Sequence, residues 1–148
     1  MLNYLNSKNV VLFHGRKIDN TPTHTLLFEK DNDKIFMSYS IVNDSFDHFT
    51  KKQGRELSIK RMAYLKNRYT RRSENNKPIE TTIDNINDVL PKKITTTFDY
   101  YLKKTCKVFN ISDTDKVSII FNTDKRKDNI VNCKLNELIK VIILMYLE

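Results

Sequence analysis

Apolar and polar residues alternate with a period of two near the N-terminus and recur at helical spacing further on, so the chain divides into sheet-forming and helix-forming stretches. Residues 9–18, NVVLFHGRKI, and 24–30, HTLLFEK, predict two strands, with the turn between them at Asn20-Thr21-Pro22. The turn Asp31-Asn32-Asp33 leads into KIFMSYSIV, residues 34–42. There Ile35, Met37, Tyr39 and Ile41 share one face, while Phe36 and Val42 share the other with Ser38 and Ser40. This pattern predicts an antiparallel meander with one better-buried face.

The period then changes. Residues 51–72 predict a helix whose apolar stripe, Leu57, Met62, Tyr64 and Leu65, is narrow. Asp44 and Asp47 resemble a helix-start signal before it, and SENNKP, 73–78, is a polar linker after it. A second helical region is expected over 79–107, with Ile79, Ile83, Ile86 and Leu90 at helical spacing. Pro91 must break, kink or restart it, and Ile94, Phe98 and Tyr101 or Leu102 carry the face onward. KVSIIFN, 116–122, and NIVNC, 129–133, predict a hairpin around the charged turn TDKRKD, 123–128. KLNELIKVIILMYLE, 134–148, predicts a helix apolar on most sides, to be buried on a sheet or in a homodimer. The expected fold is α+β: a single domain over 1–148, in which an antiparallel sheet, made of an N-terminal three-strand meander plus a C-terminal hairpin, packs with two to four helices.

Composition limits the chemistry. With 148 residues, 39% of them hydrophobic, and fifteen aromatics (seven Tyr and eight Phe), the chain can bury a core. No apolar run approaches the length of a membrane span, and MLNYLNSKNVVLF lacks the basic start and long apolar run of a signal peptide, so a cytoplasmic location is expected. Cys106 and Cys133 stand far apart in sequence and the three histidines, 14, 24 and 48, are scattered, which gives no zinc pattern and makes both thiols packing residues. Two glycines cannot build a phosphate-cradling loop, and no hydrolase, zincin or EF-hand signature is present. No cofactor and no enzymatic activity are expected. His14 at a strand end has no nucleophile placed beside it. Asp44, Asp47 and His48 could hold a metal for a nuclease, but capping by either Asp is the simpler role.

Charge is the informative feature. The chain carries 26 Lys and Arg against 18 Asp and Glu, a net +8. Residues 51–72, KKQGRELSIKRMAYLKNRYTRR, hold nine of the bases and one acid, Glu56, so this segment alone accounts for the whole excess. Arg61, Arg68 and Arg72 fall on one flank by seven- and four-residue steps, with Lys60 and Arg71 nearby. Such a cluster is either solvated, matched by acids such as Glu80, Asp84 and Asp88, or used to hold phosphate. Tyr64 and Tyr69 interleave with the bases; such a ring can stack on a nucleobase, although Tyr64 also fits the apolar stripe and packing is the first role expected of it.

The stretch SYSIVNDSFDHFTKKQGRELSIKR, 38–61, resembles a pattern in short, mostly uncharacterised phage and plasmid proteins: a strand, a small-residue turn, Asp-x-Phe, one or two bases, Gly-Arg, an apolar residue, Ala and a final Arg. Asp47, Phe49, Lys51, Gly54, Arg55, Leu57 and Arg61 match it, and Ser58 stands where Ala is expected. The resemblance implies a phage or mobile-element setting and no assigned chemistry. On physical grounds Phe49 would dock the helix start, and Gly54 would permit close approach of a neighbour. Lys51, Lys52 and Arg55 lie near the positive helix end, which makes that corner, with Arg61, the first choice for an anion.

The candidate binding set is therefore Lys51, Lys52, Arg55, Lys60, Arg61, Arg68, Arg71, Arg72 and Tyr64. The expected function is a small non-enzymatic phage or mobile-element protein that engages nucleic acid or a nucleotide through a basic helix, in a counter-defence role. The alternative is an inhibitor whose basic helix docks on an acidic surface of a host protein or mimics a nucleic-acid binder.

Overall fold

The computed structural model describes residues 2–16, 22–41, 50–72, 77–123 and 127–137. The chain runs through a short helix α1 (Leu2–Leu5), strands β1 (Val10–Arg16), β2 (Pro22–Asp31) and β3 (Lys34–Ile41), then helix α2 (Lys51–Thr70). A two-residue strand β4 (Ile79–Glu80), a 3-10 turn (Ile83–Asn85), helix α3 (Ile86–Val89) and helix α4 (Lys92–Val108) follow. Strands β5 (Lys116–Asn122) and β6 (Asp128–Lys134) come last. The fold is α+β, as the pattern predicts.

The sheet is mixed rather than purely antiparallel. Its six strands lie in the order β1-β2-β3-β5-β6-β4. The meander β1–β2–β3 and the hairpin β5–β6 are antiparallel, but β3 pairs with β5 in parallel, Ile35 opposite Ile119, and β4 pairs with β6 in parallel. Parallel neighbours require a long crossover. The chain between β3 and β5 supplies it, placing α2 on one face of the sheet and α4 on the other.

Both faces are consequently buried, not one. Leu26, Phe28, Ile35, Met37, Ile119 and Phe121 pack toward α4. Leu27, Phe36 and Ile120, the alternate residues, pack toward Met62 and Leu65 of α2. The uninterrupted runs Leu26-Leu27-Phe28 and Ile119-Ile120-Phe121 carry this information, since strands covered on both sides lose polar alternation. On α4 the buried positions Ile94, Phe98, Leu102, Thr105 and Cys106 form one stripe, and Pro91 is the N-cap that starts it.

Helix α2 buries Gly54, Ser58, Met62 and Leu65. Leu57 and Tyr64, expected in its apolar stripe, are exposed. The small residues allow close approach to the serine side of β3: Ser38 Oγ donates to the Ser58 carbonyl at 2.7 Å and Ser40 Oγ to the Gly54 carbonyl at 3.0 Å. These bonds, with a Ser40 Oγ–Ser58 Oγ pair at 3.0 Å, satisfy the buried hydroxyls. The N-cap is Thr50, in a capping box with Gln53, rather than Asp44 or Asp47. Asp44, Asp47, His48 and Phe49 lie outside the described residues, as do the turn residues Asn20 and Thr21, most of the linker 73–78, and nearly all of the helix expected over 134–148 with the homodimer face assigned to it.

The region 79–90 is not a continuous helix. Ile79 belongs to edge strand β4, and its helical spacing to Ile83 is coincidental. The β-branched pair Thr81-Thr82 weakens helix formation there. Thr81 instead donates its N–H to the Ile130 carbonyl at 2.9 Å and its hydroxyl to Asn129 Oδ1 at 2.6 Å, which fastens the segment to β6.

Candidate functional site

The C-terminal end of α2 reaches the start of β6, where Arg68 and Arg72 meet Asp128. Arg61, Tyr64, Arg68, Arg71 and Arg72 fall within roughly 100° of helix arc at the α-helical turn angle, so one flank presents them all. Two clefts open along that flank. The larger, about 580 Å³, is lined by Tyr64, Asn67, Arg68, Arg71, Arg72 and Lys77, and beyond them by Ile79, Lys127 and Asp128. Among the described residues, five cations line it with one carboxylate, a formal +4 for that lining. The smaller, about 420 Å³, is bounded by Arg61 and Arg68, by Tyr64, and by the Tyr39–Asn122 side of the sheet. Tyr64 and Arg68 line both clefts and so form the wall between them.

Asp128 organises this corner. Its side chain is 2% exposed. Arg68 grips it with a bidentate fork, Nε to Oδ2 at 3.0 Å and Nη2 to Oδ1 at 3.1 Å. Arg72 Nη2 also donates to Oδ2, and Asn122 Nδ2 donates to Oδ1 at 2.6 Å. Four donors thus saturate one buried carboxylate, and one negative charge holds two guanidinium groups in place. Burial lowers the pKa of both arginines, and for Arg72 the neighbouring Arg68 charge acts in the same direction while Tyr69 opposes it. Both remain cations at neutral pH. Arg61 Nη1 donates to the Tyr39 carbonyl at 2.8 Å, which ties the next arginine to β3. Arg71 and Lys127 are exposed and make no ion pair among the described residues.

The ion-pair partners of α2 among the described residues are Glu29 and Asp128 on the sheet, not Glu80, Asp84 or Asp88. Lys66 reaches the buried Glu29, which also accepts from Tyr4 Oη. Burial, with Glu29 as hydrogen-bond partner and neighbouring charge, raises the Tyr4 pKa, so its hydroxyl stays a donor.

The structure splits the nine sequence candidates. It brings Arg61, Tyr64, Arg68, Arg71 and Arg72 together. Lys51, Lys52, Arg55 and Lys60 line neither cleft, although Lys60 Nζ stands 6.0 Å from the Tyr64 ring centroid. The focus of charge is therefore the C-terminal half of the helix, not its positive end. Tyr64, for which packing is the first role expected, is 54% exposed, whereas Tyr69 packs edge-on against Phe36 with ring centroids 5.3 Å apart. Sequence reasoning missed Lys77, Lys127 and Asp128, because linker and hairpin residues meet α2 only after the sheet has formed.

Among the described residues no three His, Cys, Asp or Glu side chains group as a metal site would need, and no helix is long and apolar enough to cross a membrane. No protein-family model, curated protein or solved structure matches the chain, so the site speaks only through its own geometry.

Proposed function

We propose that this protein is a non-enzymatic binding protein that engages nucleic acid through the two clefts along the C-terminal half of α2. The observation that carries the reading is the convergence of Arg61, Arg68, Arg71, Arg72, Lys77 and Lys127 from three separate parts of the chain, with a half-exposed Tyr64 among them. A merely solvated charged face needs no such convergence onto a cleft. Clustered Lys and Arg neutralise phosphates and release counterions, and an adjoining aromatic ring offers a surface to a base. The open form of the clefts and the tyrosine between them favour a polymer over an enclosed mononucleotide. The resemblance of residues 38–61 to short phage and plasmid proteins supports a mobile-element setting for this reading, in which occupying nucleic acid would counter host machinery that acts on it.

The test is fluorescence anisotropy with labelled DNA and RNA over a range of salt. Arg71→Glu/Lys127→Glu reverses two exposed cleft cations, and Lys51→Glu/Lys52→Glu makes the same charge change at the other end of the helix. The expected result is binding that weakens steeply with salt, falls by about tenfold or more in the cleft variant and changes far less in the distal one. Equal losses in both variants would reduce the clefts to a share of a diffuse basic face. No binding at low salt, with capture of one acidic host protein, would favour the inhibitor reading.

A further inference from the structure

The two clefts differ in chemistry, and the difference specifies a ligand. The larger carries five cations, and Arg71, Lys77 and Lys127 reach it from α2, the segment before β4 and the hairpin. Among the described residues, the smaller has only Arg61 and Arg68 as charged lining; Met37, Ile41, Leu65 and Pro91 give it apolar walls, and Asn122 and Thr123 give it polar ones. Both volumes fall within the range of ligand sites, roughly 300–1,000 Å³. One cleft suits a backbone of phosphates. The other suits a flat group with an apolar face and a hydrogen-bonding edge.

Tyr64 stands on the wall between them, 54% exposed, on a helix whose neighbouring turns are anchored: Arg61 to the Tyr39 carbonyl, Leu65 in the core and Arg68 to Asp128. A ring on so fixed a base loses little freedom when a planar group stacks on it. Lys60 Nζ lies over a face of the same ring, 6.0 Å from its centroid, which adds a cation beside this aromatic surface.

We infer that the site takes single-stranded nucleic acid, with the phosphate backbone in the Arg71–Lys77–Lys127 cleft and one unstacked base laid against Tyr64 into the Tyr39–Asn122 cleft. This rests on the nucleic-acid reading above and narrows it, because a paired duplex offers phosphates but no free base face. Stacking is tolerant of base identity, so the preference is for strandedness more than for sequence.

The test uses the purified full chain and three labelled probes of equal length: a single strand, the matching duplex, and a single strand with abasic sites throughout its centre. The native strand is expected to bind about tenfold tighter than the abasic strand. Tyr64→Ala should erase that difference, and Tyr64→Phe, which keeps the ring, should recover most of it. Salt dependence should stay the same across the Tyr64 variants, since no phosphate contact is removed. Equal binding of native and abasic strands by the wild-type protein, with the Arg71→Glu/Lys127→Glu loss intact, would overturn the inference and leave nucleic-acid binding standing. Displacement of the strand by a free mononucleotide at micromolar concentration would overturn it in favour of a small ligand. No binding of any probe at low salt would remove both.

Discussion

Asp128→Asn is the most informative single perturbation, because stability and binding should move in opposite directions. The change keeps the side-chain shape and removes one buried negative charge. Asp128 accepts four hydrogen bonds, three of them from guanidinium groups. An amide cannot accept all four, and its NH₂ group must face at least one donor. Removing one partner of a fully buried ion pair costs about 3–5 kcal/mol. Here the arginine side chains keep 44% and 18% of their exposure, so water recovers part of that loss. The expected cost is about 2–3 kcal/mol, a fall in Tm of roughly 5–10 °C for a chain of this size. Urea unfolding should show a lower midpoint with an unchanged slope.

The same substitution raises the net charge of the larger cleft by one. At a temperature where the variant is fully folded, nucleic acid should bind more tightly at low salt, and the salt dependence should steepen by about one counterion or less. An unchanged urea midpoint would refute the claim that Asp128 holds this corner together. A folded variant that binds less tightly would refute the claim that the carboxylate screens the cleft, and would mean that the alignment of Arg68 and Arg72 matters more than their net charge.

Three further outcomes follow from the fold. A Cβ added at Gly15 would lie 2.0–2.5 Å from three atoms of the His24 ring, which Thr23 and Thr97 hold at both nitrogens, each at 2.8 Å; Gly15→Ala should cost about 2–3 kcal/mol by urea unfolding, and much less when measured in a His24→Ala background. Burial, then the charges of Lys93 and His14, push the His24 pKa from 6.5 down to about 4, so the unfolded chain binds this proton first; stability present above pH 6.5 should decline as pH falls toward 4, by at most about 3 kcal/mol, and His24→Gln should flatten that part of the wild-type profile. Thr50→Ala removes the cap from the Gln53 N–H and should lower stability by about 1 kcal/mol, with the helical circular dichroism signal retained in the folded state.

The legible parts of the fold were those with local causes. Period-two alternation located β3, the turn Asp31-Asn32-Asp33 set its junction with β2, and Asn32 does adopt a positive φ of 57° there. The stripe from Ile94 to Leu102 located α4. The parallel pairing of β3 with β5 has no local signature, because it depends on where a long crossover returns. Edge strand β4 was hidden by an accident of spacing among Ile79, Ile83, Ile86 and Leu90, and only the Thr81-Thr82 pair hinted against a helix. On α2, Tyr64 looked like part of the apolar stripe because three and four residues separate core positions on any helix. Ser58 did not look like core at all, yet Gly54 and Ser58 touch the sheet because Ser38 and Ser40 leave room and supply hydroxyls.

The position of the site along α2 has an electrostatic logic that the charge run alone conceals. An anion is favoured at a helix N-terminus by the backbone dipole, and Lys51 and Lys52 add to that field. They stand exposed, however, with the N-terminal end already capped by Thr50 and Gln53, and they line neither of the two clefts. At the other end the dipole opposes an anion but favours cations, which lowers the cost of assembling Arg68, Arg71 and Arg72 within one turn. Asp128 lowers it further by neutralising one charge and fixing two guanidinium groups before any ligand arrives. Arg71, Lys77 and Lys127 add three further cations to the described lining, and they do not share one helix and so cannot relax by fraying it. On the proposed function, a phosphate entering this cleft would meet charge whose mutual repulsion the fold has already overcome, so that much of the attraction would be free to appear as affinity.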